Sequence, residues 1–272
     1  MLECLYIYIY IYDNGSTDGT KEFLCECIDK YKDKIEVTFL DENKGISYVT
    51  NMFWEKSTSK IIGKVDNDMI MPKNWLKILY EAFVTAKDID ILGPCTLFPE
   101  DVDEKFAKKR ARNVNGVMLL QEEYIGGCYI ADGDMLRKKR VEVVQRQYTA
   151  GWPALQVDLF RLGAIIGILY PFVFVEHMDD PRSEHCLRST RYSEYSNKIY
   201  QQIHGVEFDQ KKYISDIKNY GESLSTGAAM LHCAVRELEA IKASRAWRIL
   251  NFLRGIKLYI EMYIKRMKNE LC

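Results

Sequence analysis

The sequence predicts an α/β protein in which a mostly parallel, twisted sheet is flanked by helices. A run of strand-favouring residues, 7–12, ends in the acidic turn 13–19, and a helical pattern begins directly afterwards. A second apolar run ends in Asp66-Asn67-Asp68. Strand and helix patterns alternate as far as residue 92. This alternation is typical of the open sheets that bind nucleotides at the carboxyl ends of their strands.

The individual elements follow from the spacing of the apolar residues. Gly19 opens the first helical pattern, and Pro72 opens the third, since proline is tolerated in a first helical turn. The predicted helices cover 19–31, 46–57 and 72–87, and the predicted strands cover 7–12, 35–40, 60–65 and 89–92.

The signals are weaker beyond residue 98. Residues 100–115 are highly charged, which indicates a mobile surface segment. Further strands are predicted over 124–130 and 168–175, with a Gly-Trp-Pro turn at 151–153 between them. We expect three parts in the chain: an α/β domain at 1–181, a polar, tyrosine-rich connecting segment at 182–227, and a helical, basic and amphipathic tail at 228–272.

The tail mixes basic and apolar residues between positions 245 and 268. A helix of this composition can lie on an anionic membrane, pack on the α/β domain or dimerise. The chain shows no export signal, and its longest apolar stretch, 162–175, is too short to span a bilayer. The sequence therefore predicts a cytoplasmic protein that can touch the inner face of the membrane through 245–268.

The composition argues against several other classes of protein. The 272 residues carry a formal net charge of -1, which provides no general attraction to nucleic acid, and we expect no nucleic-acid partner. The eight cysteines are scattered without a C-x-x-C pair, which argues against a zinc ribbon or a thioredoxin-type site. We expect buried thiols in a reducing compartment.

Asp66-Asn67-Asp68 forms a D-x-D triplet at the end of a predicted strand. Side chains two residues apart share a face of a strand, and carboxylate oxygens are hard ligands for Mg2+ or Mn2+ bound to a diphosphate. The competing interpretation is a capping turn in which Asp68 precedes the following helix. Asp13 ends another strand of the same predicted sheet, and this second acidic strand end favours the metal site.

The acidic turn 13–19 also has two interpretations. A calcium loop of the EF-hand type needs Asp at its third and fifth positions, but those positions hold Gly15 and Thr17. The calcium interpretation therefore fails. A turn in which the Asp13 carboxylate accepts hydrogen bonds from a base or a ribose fits better, with Ser16 or Thr17 capping the next helix.

Two further residues are candidates for chemistry. His177 lies just beyond an apolar strand, where a neutral imidazole can ligate a metal, bind a phosphate oxygen or play a structural part. Asp158 lies in an otherwise apolar helical stretch. A partly buried carboxylate there would have a raised pKa and could act as a general base, whereas a carboxylate on the helix surface would not.

Together these residues resemble the family 2 glycosyltransferases of the GT-A fold. The resemblance covers roughly residues 5–180, and its first segment is the most specific. The order and spacing of these segments carry it: 11–20, 42–45, 65–68, 126–128, 151–158 and 175–177. The segment Ser244–Arg248 also resembles a tail that is often attached to such enzymes.

The resemblance implies a role for each matching position. Asp13 would contact the uracil or ribose of a UDP-sugar, and Asp68 would hold the diphosphate through Mg2+ or Mn2+. Family members carry a Glu-Asp pair as the base region, and the matching stretch 155–158 makes Asp158 the candidate base. The implied donor-binding residues are Asp13, Asn43, Lys44, Gly45, Asp66 and Asn67, and the implied metal ligands are Asp66, Asp68 and His177.

The implied reaction is an inverting displacement. The base deprotonates an acceptor hydroxyl, which attacks the anomeric carbon, and the metal stabilises the departing nucleoside diphosphate. The implied partners are a nucleotide-sugar donor and a glycan, lipid-linked or protein acceptor, as in polysaccharide biosynthesis.

Family members begin with a further strand and helix that contact the nucleoside, and we expect this chain to lack them. A catalytically inactive nucleotide-sugar-binding protein or scaffold is therefore the alternative to an enzyme. A nucleotidyltransferase on a related sheet is a third hypothesis. It would need a glycine-rich phosphate loop and an arginine near the start, and neither is visible in the sequence.

Overall fold

The computed structural model describes residues 7–138, 151–186, 188 and 193–228. Residues Met1–Thr226 form one compact unit, to which all the elements below belong, and Gly227–Cys272 form a second unit. The predicted tail and its contacts therefore lie outside the described residues, apart from Ala228. No helix in the described part of the chain is long and apolar enough to cross a membrane.

Strands and helices alternate in the first part of the chain, as its sequence predicts. β1 and β2 pair in parallel, with a register that runs from Ile9 opposite Ile35 to Asp13 opposite Phe39. Gly19 has a φ of 88°, which lets the backbone turn from the acidic loop into the first helix. The elements are β1 (Ile9–Asp13), α1 (Thr20–Tyr31), β2 (Ile35–Phe39), α2 (Ile46–Lys56), β3 (Ile61–Val65), β4 (Met69–Ile70), α3 (Trp75–Thr85) and β5 (Ile91–Gly93).

After β5, the described residues form five further strands and five helices. They are α4 (Glu104–Arg110), β6 (Arg112–Val114), β7 (Val117–Gln121), β8 (Cys128–Asp132), α5 (Gly133–Arg137), α6 (Gly151–Arg161), β9 (Ile166–Tyr170), β10 (Glu176–His177), α7 (Ser193–His204) and α8 (Gln210–Thr226), with a short 3-10 turn at Pro99–Asp101. The turn predicted at 151–153 is instead the start of α6, where Pro153 is tolerated because it lies in the first turn of the helix.

The α/β class is confirmed, but the central sheet is mixed rather than mostly parallel. Its six strands lie in the order β3-β8-β5-β9-β7-β6. β5 and β9 are parallel. β8 runs antiparallel between β3 and β5, and β7 runs antiparallel to both β9 and β6. β7 and β8, from the second part of the chain, thus run antiparallel to their neighbours in the sheet. The alternation of strands and helices in the first part of the sequence does not reveal this.

The charged segment 100–115 is ordered by buried apolar residues rather than exposed along its length. Ala107 is fully buried in α4, and Val102 before the helix and Val114 after it are also buried. The carboxylate of Asp103 caps α4 by accepting hydrogen bonds from two backbone N–H groups of its first turn, at 2.9 and 3.1 Å. The segment lies on the surface as predicted, but it forms a helix and a strand, and its lysines occupy the exposed face of α4.

Alternating residues of the central strands bury two faces of the sheet. Ile91 packs with Trp54 of α2 and Leu159 of α6. Leu92 points the other way and packs with residues of α3 such as Leu79. This double cover matches the expectation for an α/β sheet and leaves the strand ends and their turns accessible.

Candidate functional site

The structure brings Asp68 and His177 together through a short strand pair. β4 and β10 pair antiparallel, with Met69 opposite His177. The N–H of Met178 donates to the carbonyl of Asp68 at 2.8 Å. As a result, Nε2 of His177 lies 3.8 Å from Oδ2 of Asp68. Two candidates far apart in the sequence therefore meet at one point.

Asp179 completes a group of three potential metal ligands with these two residues. One ligand atom from each of Asp68, His177 and Asp179 lies within 4.8 Å of the others. The N–H of Asp179 also donates to Nδ1 of His177 at 3.1 Å. Asp179 was not a candidate in the sequence. The available signal was its position only two residues after His177; β10 ends at His177, and the turn at 178–179 brings Asp179 back beside the imidazole.

The electrostatics of Asp68 fit a cation. Burial raises the pKa of Asp68, the carboxylates of Asp66 and Asp179 raise it further, and His177 opposes them. Oδ1 of Asp68 is buried without a hydrogen-bond partner among the described residues. A divalent ion would satisfy this oxygen and offset the like charges. The donors are two carboxylates and an imidazole, a set that suits Mg2+ or Mn2+.

Asp66 lies outside this group of three. Its carboxylate pairs with the ammonium of Lys64, and its side chain is about one-third exposed. Asn67 follows it in the exposed turn before β4. Asp66 and Asp68 therefore contact different partners, and of the three implied metal ligands the structure brings together Asp68 and His177.

A glycine turn lies against the acidic triplet. Gly127 has a φ of 62°, and its carbonyl accepts a hydrogen bond from the N–H of Asp66 at 2.8 Å. A Cβ on Gly127 would lie 2.1 Å from Cε of Met69 and 3.9 Å from Oδ2 of Asp66. The close approach of these two turns depends on the absence of a side chain at this position.

The first acidic turn forms a cradle with the turn that follows β2. Asn14 donates to Oδ1 of Asn43 at 3.0 Å and accepts from the N–H of Lys44 at 2.8 Å. The N–H of Gly45 donates to Oδ1 of Asn43 at 2.9 Å. The predicted donor-binding residues Asn43, Lys44 and Gly45 thus lie beside the motif that contains Asp13. The linking residue, Asn14, was not a candidate in the sequence.

The two carboxylate oxygens of Asp13 differ in their hydrogen bonding. Asp13 is buried, with only 4% of its surface exposed. Oδ1 accepts a hydrogen bond from the N–H of Ser16 at 3.2 Å. Oδ2 is buried and has no hydrogen-bond partner in the described part of the chain. A buried acceptor without a partner is costly, and a hydroxyl or amide donor of a ligand would satisfy it.

The structure does not bring Asp158 into the interior. Its carboxylate is 68% exposed on α6 and lies 3.6 Å from the guanidinium of Arg161. The partly buried environment expected for Asp158 is therefore not observed. Gln156 of the same helix is fully buried instead. Its amide donates to the carbonyl of Ile125 at 2.8 Å and accepts from the N–H of Ile125 at 2.9 Å.

Comparison with known proteins adds a family and a fold. The family model described as Glycosyl transferase family 2 matches residues 4–143. A mannosyltransferase, PcManGT from Pyrobaculum calidifontis, solved in complex with GDP-Man and Mn2+, has a TM-score of 0.50 at 14% sequence identity. The match covers 91% of this chain and 74% of that protein, and it shows a shared fold. No curated protein matches the chain in sequence.

Two other solved structures match less closely. S. aureus TarS 1-349 has a TM-score of 0.48 at 15% identity, and the match covers 76% of this chain and 59% of that one. GalNAc-T7, solved with UDP, GalNAc and Mn2+, has a TM-score of 0.44 at 11% identity, over 79% of this chain and 49% of that one.

Proposed function

Since this chain belongs to glycosyl transferase family 2, we propose that it is an inverting enzyme that moves a sugar from a UDP-sugar to a glycan, lipid-linked or protein acceptor. The observation that carries this proposal is the meeting of Asp68 and His177 at a site with a buried carboxylate oxygen that lacks a partner among the described residues. Such a site suits a divalent cation and the diphosphate of a nucleotide sugar.

The diphosphate end of the donor is assigned to the D-x-D region. Asp68 would hold Mg2+ or Mn2+, with Asp66 and Asn67 on the donor side of the same turn. His177 would reach either the cation or a phosphate oxygen. When bound, the cation supplies positive charge that stabilises the leaving nucleoside diphosphate. The mutual repulsion of Asp68 with Asp66 and Asp179 supports this assignment, because it leaves a negative site that needs a cation.

The nucleoside end is assigned to the cradle around Asp13. The open Oδ2 of Asp13 would accept a hydrogen bond from the base or ribose. The Asn43-Lys44-Gly45 turn, tied to Asn14, would flank the nucleotide. PcManGT was solved with GDP-Man, so a guanine nucleotide is the relevant competitor to test against uracil.

Transfer also needs a base for the acceptor hydroxyl. In the proposed step the acceptor oxygen bonds to the anomeric carbon, the bond from that carbon to the phosphate oxygen breaks, and the proton passes to Asp158. The exposure of Asp158 means that the acceptor would have to cover it.

A second candidate is an inactive nucleotide-sugar-binding protein or scaffold. The burial of neutral Gln156 and the exposure of Asp158 favour this candidate, because neither residue is a buried carboxylate. An amide cannot take the proton of the acceptor hydroxyl, and an exposed carboxylate is a weak base.

Calorimetric titration of UDP, with and without Mn2+, tests the donor site. We expect binding that depends on Mn2+ and is lost in a D66A/D68A double variant that melts like the parent. A parallel titration with GDP identifies the base preference. If the folded protein binds neither UDP nor GDP in the presence of Mn2+, the proposed donor site is contradicted.

Transfer from UDP-sugars then separates the two candidates. D158N should abolish transfer and keep UDP binding if Asp158 is the base. D134N is the matched control, since Asp134 is also a helical carboxylate paired with an arginine three residues later. Full UDP binding without transfer to any acceptor class would favour the binding protein instead.

A further inference from the structure

Asp179 makes contacts in two directions. Its N–H reaches the imidazole of His177 at 3.1 Å. On the other side, Nη1 of Arg188 donates both to Oδ1 and to the backbone carbonyl of Asp179, each at 3.0 Å. The side chain of Asp179 is therefore held in place by one arginine while it lies within 4.8 Å of the ligand atoms of Asp68 and His177.

Arg188 itself is fixed by aromatic rings from the helical segment. Its side chain is only 7% exposed. The guanidinium carbon lies 4.2 Å from the ring centre of Phe208 and 5.2 Å from that of Tyr200. Tyr200 belongs to α7, and Phe208 lies in the connection to α8. Cation–π contacts of this kind hold a guanidinium in a fixed orientation.

The charges also require a partner for Asp179. A carboxylate accepts hydrogen bonds at two oxygens, and Arg188 contacts one of them. The side chain of Asp179 remains 43% exposed, so its other oxygen can reach a ligand. Arginine at this place partly offsets the repulsion between Asp179 and Asp68, which would otherwise push the two carboxylates apart before a cation arrives.

We propose that Asp179 is a further ligand of the cation held at Asp68 and that Arg188 is the residue that positions it. This inference rests on the proposed function of the same site and adds two residues to it. Through Arg188, the packing of α7 and its connection to α8 determines where the carboxylate of Asp179 lies. The tyrosine-rich segment 193–213 is therefore a support for the metal site as well as a connection.

Mn2+ binding to the whole protein, followed by electron paramagnetic resonance of the free ion, tests the inference without any transfer reaction. D179N should bind Mn2+ at least about tenfold more weakly than the parent, because it removes the charged ligand and keeps the shape. R188K should weaken Mn2+ binding by about tenfold to a hundredfold, the range found for residues that orient metal ligands.

R182K is the matched control for R188K. Like Arg188, Arg182 combines ion pairing with a ring contact: it binds the carboxylates of Asp180 and Asp101, and its guanidinium carbon lies 4.7 Å from the ring centre of Phe98. We expect R182K to lower the melting temperature and to leave Mn2+ affinity within about threefold of the parent. Equal losses of Mn2+ affinity in R188K and R182K would show a general effect of destabilisation and would overturn the positioning role.

The outcomes separate this inference from the proposed function. Parental Mn2+ affinity in D179N, together with loss of affinity in D68N, would overturn the inference and leave the donor site standing. If the parent protein binds no Mn2+, either with or without UDP, both the role of Asp179 and the proposed donor site would be overturned. If D179N binds Mn2+ more weakly but R188K binds it like the parent, Asp179 would remain a ligand of the cation and the positioning role of Arg188 would be overturned.

Discussion

The backbone N–H of Asp179 donates a hydrogen bond to Nδ1 of His177 across 3.1 Å. A ring nitrogen that accepts a hydrogen bond carries no proton, so the neutral ring of His177 has its proton on Nε2. That nitrogen faces Asp68, 3.8 Å from Oδ2. This nitrogen can donate to a phosphate oxygen, or it can give up its proton and ligate a cation.

The first prediction concerns this choice. We expect H177A to weaken UDP binding in the presence of Mn2+ by about tenfold, the value of one lost hydrogen bond to a charged group, and to leave Mn2+ binding without nucleotide within about threefold. H177Q can still donate an N–H and should recover part of the UDP affinity. Calorimetry with UDP and titration with Mn2+ measure the two affinities. Equal losses in both would instead identify His177 as a metal ligand.

The second prediction concerns Asn14, which ties the first acidic turn to the turn at 43–45. N14A removes two hydrogen bonds that shape the cradle for the nucleotide. We expect UDP affinity to fall by about tenfold, while Mn2+ affinity without nucleotide stays unchanged. N115A is the control, because Asn115 bonds the exposed carboxylate of Asp88 instead. Unchanged UDP affinity in N14A would contradict a nucleotide site in the cradle.

The third prediction concerns the glycine turn against the D-x-D triplet. G127A should lower stability by about 1–3 kcal/mol and weaken UDP binding, because the new methyl group meets Met69 and moves the turn that binds Asp66. G116A isolates the backbone strain, since Gly116 also has a positive φ, of 91°, and has nothing within 4 Å of its added Cβ. Chemical denaturation and calorimetry measure the two effects. Parental UDP affinity in G127A would show that this turn does not shape the site.

The fourth prediction concerns Glu122, which is buried beside Arg110. Oε1 of Glu122 lies 2.5 Å from Nη2 of Arg110. Burial raises the pKa of Glu122 from 4.5 to about 7, although Arg110 opposes the shift. The folded protein therefore binds more protons than the unfolded chain between these values.

It follows that stability falls as the pH rises through this window. The contribution of protonated Glu122 is complete below pH 4.5 and is lost as the pH passes about 7, a change of about 3 kcal/mol. E122Q should flatten this part of the pH dependence in urea unfolding, because a glutamine does not titrate. E81Q, which alters an exposed carboxylate, should keep the slope of the parent. An unchanged slope in E122Q would refute this assignment.

The sequence predicted the elements of the first part of the chain well, because their signals are local. The helices at 20–31 and 46–56 and the strands β1 to β3 lie within a few residues of their predicted places. The strand β7 (Val117–Gln121) is as long as β1 but was missed, because Val117–Leu120 is a continuous apolar run without the alternation that indicates a strand. Helix α4 was also missed, because its lysines suggested an exposed loop although the helix has a buried face that includes Ala107.

The residues of the candidate site likewise fall into those with a local sequence signal and those defined by tertiary contacts. Asp13, Asp68 and His177 were candidates in the sequence because each follows an apolar strand pattern, and their roles stay predictions. Asp179 and Asn14 were not, since their roles depend on contacts with residues distant in the chain. Asp158 was expected in a partly buried place, but the rotation of α6 about its axis turns Gln156 inward and Asp158 outward. A weakly amphipathic helix does not specify that rotation by itself.

The sequence by itself determined the α/β class, the two acidic turns and the resemblance to family 2 glycosyltransferases, because strand and helix periodicity and turn residues act over short distances. The tertiary structure decided which ligands meet. β4 and β10 are two residues long and carry no periodic signal, yet their pairing places Asp68 beside His177 and Asp179. The two strands form a separate two-stranded sheet, and their pairing joins distant parts of the chain, so no local pattern records it.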